Sequence, residues 1–244
     1  MKLITLNIWG GRLRYNIPDF IAKEQPDILC MQEVNDLSGY TGGLFITLDE
    51  LQQAGNFADK SMAPSNGFHF MNRYLDYGNA VLSKLPLCDR DNVFVRKHYQ
   101  PDYDVTPEDH ARNFQHSSVL INGKIVHIIN YQGQFVKGSK AGNDETYQQV
   151  KELYGYTVQF ANEPIIITGD FNLEPTSSSM QILNNNFRNL PIEHGITSTY
   201  SPVLHIFNVV CDYIFINNLV KLQSFETSEA IVSDHKPLIM EFDV

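Results

Sequence analysis

The sequence has few cysteines and no long apolar run. Its three cysteines, Cys30, Cys88 and Cys211, are an odd number at wide spacing, with no CxxC pair and no cysteine/histidine cluster. That pattern argues against a disulfide framework and predicts reduced thiols in a cytoplasmic protein. No stretch reaches the roughly 18 apolar residues of a transmembrane helix, and the N-terminal apolar segment is too short for a signal peptide. We therefore expect a soluble intracellular protein without a membrane anchor.

Positive charge is also scarce. Lys and Arg number 18 against 28 Asp and Glu, which leaves a formal net charge of −10. Broad attraction to nucleic acid or anionic lipid is therefore not expected, although a local positive cleft is compatible with this balance. The chain also lacks Gly-x-Ser-x-Gly, a Cys–His signature and a phosphate-cradling Walker loop, so no covalent nucleophile is indicated.

The chain does contain enough apolar surface for a packed core, because 43% of its residues are hydrophobic and 11% are aromatic. Short apolar runs bounded by Gly, Pro, Asn or Asp predict strands at 3–8, 27–34, 80–83, 117–121, 125–130, 165–169, 212–216 and 238–242. Amphipathic stretches predict helices at about 15–25, 43–54, 143–161 and 176–184. The dipeptide Asn122-Gly123 between two apolar runs predicts a tight hairpin turn. Segments 98–113 and 133–142 look irregular but do not resemble interdomain linkers.

Polar or ionisable residues stand at the ends of five of the apolar runs, where a rigid α/β scaffold presents catalytic groups. They are Asn7, Glu33, Asp170 with Asn172, Asp212, and Asp234 with His235. Taken singly, each has a structural alternative: a strand end, an Asx turn or the polar edge of a strand. A doubly buried strand, however, tolerates a carboxylate such as Glu33 only when the carboxylate is paired or metal-bound. The order of the five places along the chain favours a functional set.

The segments Gly169-Asp170-Phe171-Asn172 and Ser233-Asp234-His235-Lys236-Pro237, with Gln32-Glu33 and Leu6-Asn7-Ile8, resemble motifs of the endonuclease/exonuclease/phosphatase superfamily. Its members include deoxyribonuclease-type enzymes, exonuclease III-type endonucleases, inositol polyphosphate 5-phosphatases, sphingomyelinases and deadenylases. The resemblance runs from residue 3 to about residue 242, so we expect a single domain over 1–244. It implies an α/β fold in the form of a four-layer sandwich, with two mixed β-sheets packed face to face, helices on the outside and the site at the sheet ends.

The resemblance also implies a metal ion and a set of ligands for it. Glu33 looks like the principal Mg²⁺ ligand, with Asn7 beside it and Asp234 as a further carboxylate. Oxygen ligands suit a hard divalent ion, so Mg²⁺ is the expected cofactor, Mn²⁺ is a substitute, and zinc is not expected.

The remaining site residues receive catalytic or phosphate-binding roles from the same resemblance. Asp170 matches the acid that orients or deprotonates the attacking water, and Asn172 matches the amide that binds a phosphate oxygen. His235 matches the histidine of the motif, held by Asp212, which fixes its tautomer. Phosphate-binding positions are expected at Asn7, Arg112 and Gln132.

Two departures from the family pattern concern a second acid–base pair. Gln132 in Asn130-Tyr131-Gln132-Gly133 stands where many members have a histidine, and Tyr77 stands where deoxyribonuclease-type members have a glutamate. Neither side chain is a good proton donor at neutral pH, so stabilisation of the leaving group is expected to rest more heavily on the metal.

Several basic residues are open to more than one interpretation. Arg112 is either a phosphate-facing arginine or an exposed loop residue, and His110 and His116 beside it could serve either role. Lys137 and Lys140 in the glycine-rich loop could touch one or two phosphates. The other histidines, at positions 69, 98, 127, 194 and 205, show no ligand spacing and receive no chemistry.

The sequence therefore predicts a Mg²⁺-dependent hydrolase of phosphoester bonds that uses an activated water, in the first place an endonuclease- or exonuclease-like phosphodiesterase. The alternatives are a phosphomonoesterase on a lipid or sugar phosphate and a non-catalytic binding relative. The expected partner is a phosphoester substrate, with nucleic acid among the candidates. Substrate identity and oligomeric state stay open at this point.

Overall fold

The chain forms two six-stranded β-sheets between two layers of helices. The structure, a computed structural model, describes residues 1–36, 45–70, 73–101 and 109–244. Its strands are β1 (Lys2–Asn7), β2 (Ile28–Asp36), β3 (Asp59–Phe70), β4 (Arg73–Ser83), β5 (Arg90–Arg96), β6 (Arg112–Ile121), β7 (Lys124–Gln132), β8 (Ile165–Asp170), β9 (Arg188–Asn189), β10 (Asp212–Ile216), β11 (Lys221–Thr227) and β12 (Leu238–Asp243). Its α-helices are α1 (Asn16–Glu24), α2 (Leu48–Gly55), α3 (Asp144–Thr157), α4 (Ser178–Asn184) and α5 (Leu190–Glu193).

The two sheets repeat one pattern of strand directions. The first sheet has the order β3-β4-β2-β1-β12-β11, and the second has the order β5-β6-β7-β8-β10-β9. In each, the third and fourth strands are parallel, as β2 with β1 and β7 with β8, and the other neighbours are antiparallel. Both sheets are therefore mixed, and the fold has the internal two-fold repetition expected of the four-layer sandwich.

Three apolar clusters hold the layers together, as alternation along the strands requires. The cluster between the sheets joins Leu3 of the first sheet to Ile128 of the second. On the outer face of the first sheet, Ile17 of α1 packs with Leu29 of β2. On the outer face of the second sheet, Val150 of α3 packs in one cluster with strand residues of β7 and β8. The predicted architecture is thus confirmed layer by layer.

Local sequence signals placed several elements well. The turn at Asn122-Gly123 has φ of 52° and 79°, so the hairpin of β6 and β7 is confirmed. The side chain of Asn143 caps α3 by accepting a hydrogen bond from Thr146 N at 2.9 Å. The helix expected over 43–54 begins only at Leu48, because the capping box of Thr47 and Glu50 starts it there. Residues 43 and 44 lie outside the described part of the chain.

The sequence missed four strands as separate elements, β3, β5, β9 and β11, and these are the edge strands of the two sheets. An edge strand has one neighbour and a more exposed surface, so it does not need a continuous apolar run. In β5, for example, the first three residues are exposed and include Arg90 and Asp91. The segment predicted as irregular over 98–113 ends earlier than expected, because β6 begins at Arg112. Residues 102–108 of this segment lie outside the described part of the chain.

Two expectations concern the cysteines and the membrane. Cys30, Cys88 and Cys211 are all free thiols, and only Cys88 is exposed. Among the described residues, no helix combines the length and the apolar character needed to span a bilayer.

Candidate active site

Four polar residues meet at one end of the sandwich, beside a cleft of about 610 Å³. They come from the end of β1 (Asn7), a bulge within β2 (Glu33), the end of β8 (Asp170) and the start of β10 (Asp212). Residues of both sheets line this cleft, which agrees with the expected position of the site at the ends of the sheets. Its ionisable walls are Arg12, Glu33, Tyr77, His110, Arg112, Asp170, Tyr200, Asp234 and His235. A wholly apolar wall adds Phe45, Phe68, Phe135, Leu204 and Ile206.

Glu33 reaches the cleft because β2 bulges at this point. Gln32 and Glu33 together oppose one residue of β4, and Glu33 has a left-handed φ of 57°. Its Oε1 accepts hydrogen bonds from Asn7 Nδ2 at 3.0 Å and from Gln132 Nε2 at 2.9 Å. The bulge thus turns a carboxylate out of a buried strand, and two amides hold its orientation.

Asn7 joins the two sheets beneath the cleft. Besides Glu33, its Nδ2 donates to Asp170 Oδ2 at 3.1 Å, while its Oδ1 accepts from Trp9 N at 2.9 Å. One amide side chain therefore sets the spacing between a carboxylate of β2 and a carboxylate of β8.

Asp170 is held rigidly at the end of β8. Its Oδ1 accepts from Asn172 N at 2.9 Å, and its Oδ2 accepts from Asn172 Nδ2 at 3.1 Å. The strand can approach β7 only because residue 169 is glycine: its φ is 135°, and a Cβ there would lie 1.9 Å from the carbonyl oxygen of Tyr131. Burial, reinforced by the charge of Asp212, raises the pKa of Asp170.

Asp212 and His235 form the pair that the sequence predicted. His235 Nδ1 lies 2.9 and 2.8 Å from the two carboxylate oxygens of Asp212, and both side chains are buried. Burial alone would lower the pKa of His235, but the nearby Asp212 and Asp170 carboxylates raise it well above its usual value. Asp212 therefore fixes the orientation of the imidazole, and the raised pKa favours its cationic form.

Asp234 completes the acidic side of the cleft. Ser233 Oγ donates to its Oδ1 at 3.0 Å, and burial, with a contribution from Glu33, raises its pKa to about 6. Burial is the main cause of the raised pKa values of Asp170 and Asp234, and neighbouring carboxylates add to it; a bound cation would offset both effects. Because these donors are carboxylate oxygens, the residues fit a hard divalent ion.

Cys211 also lies at this site, although no sequence motif predicted a role for it there. One potential ligand atom from each of Cys211, Asp170, Asp212 and His235 lies within 4.8 Å of the others. Burial raises the pKa of the Cys211 thiol to about 12, which favours the protonated thiol. Its Sγ donates to Asp212 Oδ2 at 3.4 Å.

The basic residues near β6 separate into two groups. Arg112 is the first residue of β6, is only 3% exposed and lines the cleft, so its interpretation as an exposed loop arginine is wrong. His110 also lines the cleft, edge-on to the Tyr77 ring. His116 does not: it packs under α3, where it contacts His127.

Sequence reasoning missed two residues of the cleft, Tyr200 and Arg12, and noted Lys140 beside the cleft only as a possible phosphate contact. Lys140 Nζ donates to Asn172 Oδ1 at 2.6 Å and lies 5.6 Å from the centre of the Tyr200 ring. Tyr200 in turn packs edge-on against His235, and Arg12 lies over the Trp9 ring at 4.5 Å. No local pattern marks Tyr200 or Arg12, because each lies in an irregular segment whose course only the tertiary structure defines.

The two unusual positions both lie at the site. Tyr77 lines the cleft, and burial together with Glu33 raises its pKa well above the usual value, so its phenol stays protonated. Gln132 is buried, and its Nε2 donates a hydrogen bond to Glu33 Oε1. In this arrangement Gln132 supports a carboxylate, whereas Tyr77 keeps a hydroxyl at the cleft.

Comparison with known proteins agrees with the fold and the motifs. The model of the endonuclease/exonuclease/phosphatase family matches residues 4–235, and the chain belongs to this family. A family member from Bacteroides vulgatus superposes with a TM-score of 0.73 at 17% identity, over 100% of this chain and 98% of that chain. A mannosyl-6-phosphatase from Bacteroides thetaiotaomicron gives 0.71 at 14% identity over 100% of both chains. The human nocturnin catalytic domain with bound sulfate gives 0.71 at 18%, over 100% and 94%.

These structural similarities show a shared fold. Among curated proteins, no sequence matches this chain. The family is one of phosphoesterases and nucleases, so the chain is placed among hydrolases of phosphoester bonds.

Proposed function

We propose that this protein is a Mg²⁺-dependent phosphoester hydrolase, and in the first place a phosphodiesterase of the nuclease type. One observation carries the proposal: Asp170 and the Asp212–His235 pair face the same cleft as the carboxylates of Glu33 and Asp234. Phosphoryl transfer to water needs a positioned water, a cation and groups that neutralise the phosphoryl oxygens, and each has a candidate in this cleft.

Glu33 and Asp234 would hold the metal, with Asn7 beside them. When bound, Mg²⁺ supplies Lewis-acid polarisation of the phosphoryl oxygens, and Mn²⁺ can replace it. Asn7 and Gln132 fix the orientation of Glu33 through their hydrogen bonds of 3.0 and 2.9 Å, which are the contacts that orient a metal ligand.

Asp170 is the residue that would orient and deprotonate the water. Its carboxylate accepts three hydrogen bonds, from the backbone and side chain of Asn172 and from Asn7, so it is held in one rotamer. A fixed base needs no reorganisation when the proton moves.

His235 would place a positive charge against the phosphoryl group. Because Nδ1 faces Asp212, Nε2 is the nitrogen left for the substrate. Arg112 and Lys140 add two further cations, and Lys140 reaches the site through Asn172. Asn172 binds a phosphate oxygen by exchanging one of its present acceptors, Asp170 or Gly133 O, for the ligand.

The dimensions of the cleft favour a second candidate, a phosphomonoesterase that acts on a sugar or lipid headgroup phosphate. Its volume of about 610 Å³ falls within the range of small-molecule sites, and its apolar side resembles the lining of such sites. The net charge of −10 likewise gives no broad attraction to a polyanion.

A substrate panel separates the two candidates. Mg²⁺-dependent hydrolysis should be measured on supercoiled DNA, abasic duplex, RNA, a chromogenic phosphodiester, a hexose 6-phosphate and phosphoinositides. Turnover of diesters supports the first candidate, and release of phosphate from monoesters alone supports the second. Asp170→Ala and His235→Ala serve as controls and should abolish activity without loss of fold.

The proposal fails if no substrate is hydrolysed and the protein binds no Mg²⁺ by calorimetry. That outcome would leave a non-catalytic binding relative as the remaining reading.

A further inference from the structure

Two buried histidines lie together on the face of the second sheet that α3 covers, away from the cleft. In the register of β6 and β7, His127 stands opposite Ser118, and His116 is two residues from Ser118 on the same face. The two imidazoles are therefore diagonal neighbours, and His116 Nε2 lies 2.9 Å from His127 Nδ1. His116 and His127 are 1% and 3% exposed, and together they are called the histidine pair.

Carboxylates hold the outer nitrogens of the histidine pair. His116 Nδ1 lies 3.1 Å from Asp91 Oδ2, and Tyr156 Oη donates to the same carboxylate oxygen at 2.8 Å. On the other side, His127 Nε2 contacts the carboxylate of Glu163. An ionised carboxylate only accepts, so His127 places its ring N–H on Nε2. His116 Nδ1 also lies 3.0 Å from Tyr156 Oη, and when this hydroxyl donates to Asp91 the ring N–H of His116 stands on Nδ1.

Counting protons shows what the inner nitrogens need. In the arrangement in which Tyr156 donates to Asp91, each neutral imidazole gives its one N–H to a carboxylate, His116 to Asp91 and His127 to Glu163. The inner nitrogens, His116 Nε2 and His127 Nδ1, then face each other with a lone pair each. Two lone pairs at this distance repel unless a proton or a metal ion lies between the two rings.

We propose that His116, His127 and Asp89 form a second metal site, which binds a divalent transition metal such as Zn²⁺. Asp89 stands just before β5, and its carboxylate has an oxygen within 4.8 Å of the ligand nitrogens of the histidine pair. Two imidazoles and one carboxylate form a recurrent protein ligand set for Zn²⁺, with water in the fourth position. Asp91 and Glu163 orient the two imidazoles, as carboxylates behind metal-bound histidines commonly do.

The surroundings suit such an ion. The ring of Phe160 stacks on His127 with centres 3.9 Å apart, which shields the imidazoles on one side. Asp89 is partly exposed, and its carboxylate also accepts a hydrogen bond from Ser118 Oγ. Tetrahedral Zn–N bonds require the two nitrogens to move from 2.9 to about 3.3 Å apart.

Cobalt titration tests this site without reference to catalysis. The full-length, tag-free chain is freed of metal by a chelator and titrated with Co²⁺ while visible absorption is recorded. We expect one equivalent to give the bands of imidazole-bound Co²⁺, and added Zn²⁺ to displace it.

The variants assign the bands to the histidine pair. His127→Gln should weaken Co²⁺ binding at least about 100-fold, and Glu163→Gln about 10-fold to 100-fold. His98→Gln is the matched control, because His98 is exposed and outside the cluster, and Glu33→Gln tests the cleft; both should keep the bands. If His127→Gln does not fold, Asp89→Asn replaces it, because Asp89 is not buried.

Three outcomes would overturn the proposal. The first is a wild-type protein without the bands, and the second is bands that survive in both His127→Gln and Asp89→Asn. The third is a nitrogen-15 NMR spectrum in which the histidine pair shares a third proton that Zn²⁺ does not displace.

Discussion

The cleft and the histidine pair both combine a buried histidine with a carboxylate, but they present different atoms to a ligand. In the cleft, Asp212 holds His235, and the groups proposed as metal ligands are the oxygens of Glu33 and Asp234. In the histidine pair, Asp91 holds His116, and the facing atoms are two imidazole nitrogens. Oxygen ligands select hard ions and imidazoles select transition metals, so one chain can separate two metals by ligand type.

The cleft residues and the histidine pair also differ in where they lie along the strands. The cleft residues follow strand ends, bulges and turns, where a side chain can leave the sheet. The histidine pair lies within β6 and β7, so its partners come from the neighbouring strand, from α3 and from the loop before β8. Four predictions sharpen this contrast.

The largest expected effect separates the two carboxylate–histidine pairs by catalysis. His235→Gln removes the cation held by Asp212, and we expect kcat to fall by about 10²-fold to 10⁴-fold on a substrate found with the panel. His116→Gln is the matched change outside the cleft and should leave kcat unchanged at saturating Mg²⁺. Equal losses in two folded variants would show that the histidine pair also serves the reaction.

The second prediction separates the two sets of carboxylates by metal requirement. Glu33→Gln keeps the size of the side chain but removes the proposed ligand charge, so the Mg²⁺ concentration for half-maximal activity should rise at least about 100-fold. Glu163→Gln, which alters the histidine pair alone, should leave that concentration unchanged. A normal Mg²⁺ response in Glu33→Gln would remove Glu33 from the metal site.

The third prediction compares a glycine that builds the cleft with one in the helix over the histidine pair. Gly169→Ala forces a Cβ to 1.9 Å from Tyr131 O at a φ of 135°, so the free energy of unfolding should fall by at least about 2 kcal/mol. An added Cβ at Gly155 of α3 would have no atom within 4 Å. Gly155→Ala should therefore raise the free energy of unfolding by about 0.5–1 kcal/mol. Urea denaturation measures both changes, and a neutral Gly169→Ala would contradict the close approach of β7 and β8.

The smallest expected effect concerns the lysines of the 133–142 loop. Lys140→Ala removes a charge-assisted hydrogen bond to Asn172, and we expect kcat/KM to fall about 10-fold. Lys137 is an exposed lysine of the same loop, and Lys137→Ala should have no effect at physiological ionic strength. Identical losses in both variants would point to general attraction of the substrate rather than to a contact at Asn172.

Phosphate binding by Gln132 stays a separate prediction. The sequence predicted phosphate binding there, whereas its Nε2 donates to Glu33. An unchanged turnover of Gln132→Ala at saturating Mg²⁺ would place this residue outside the working site. A raised Mg²⁺ requirement alone would show that it acts through Glu33.

The sequence predicted the inner strands far better than the outer ones, for a physical reason. β1, β7 and β8 are covered on both faces, so they require apolar runs that can be read directly. The edge strands β3, β5, β9 and β11 have a neighbour on one side only, and their mixed composition does not distinguish them from loops. The same reasoning explains why the sequence left Arg112 open between a phosphate-facing residue and an exposed loop residue: Arg112 begins β6 and pairs with Arg96 of the edge strand β5.

By itself, the sequence determined the family resemblance, the four-layer class and the ordered polar residues from Asn7 to His235, because these depend on local runs and short motifs. Only the tertiary structure decided that Arg112 and Tyr200 line the cleft, that Lys140 contacts the cleft residue Asn172, and that His116 contacts His127. Such contacts depend on strand register and on the paths of loops, and they join residues far apart in the chain. Local sequence propensity does not predict these contacts, since the same side chains fit equally well on a solvated surface.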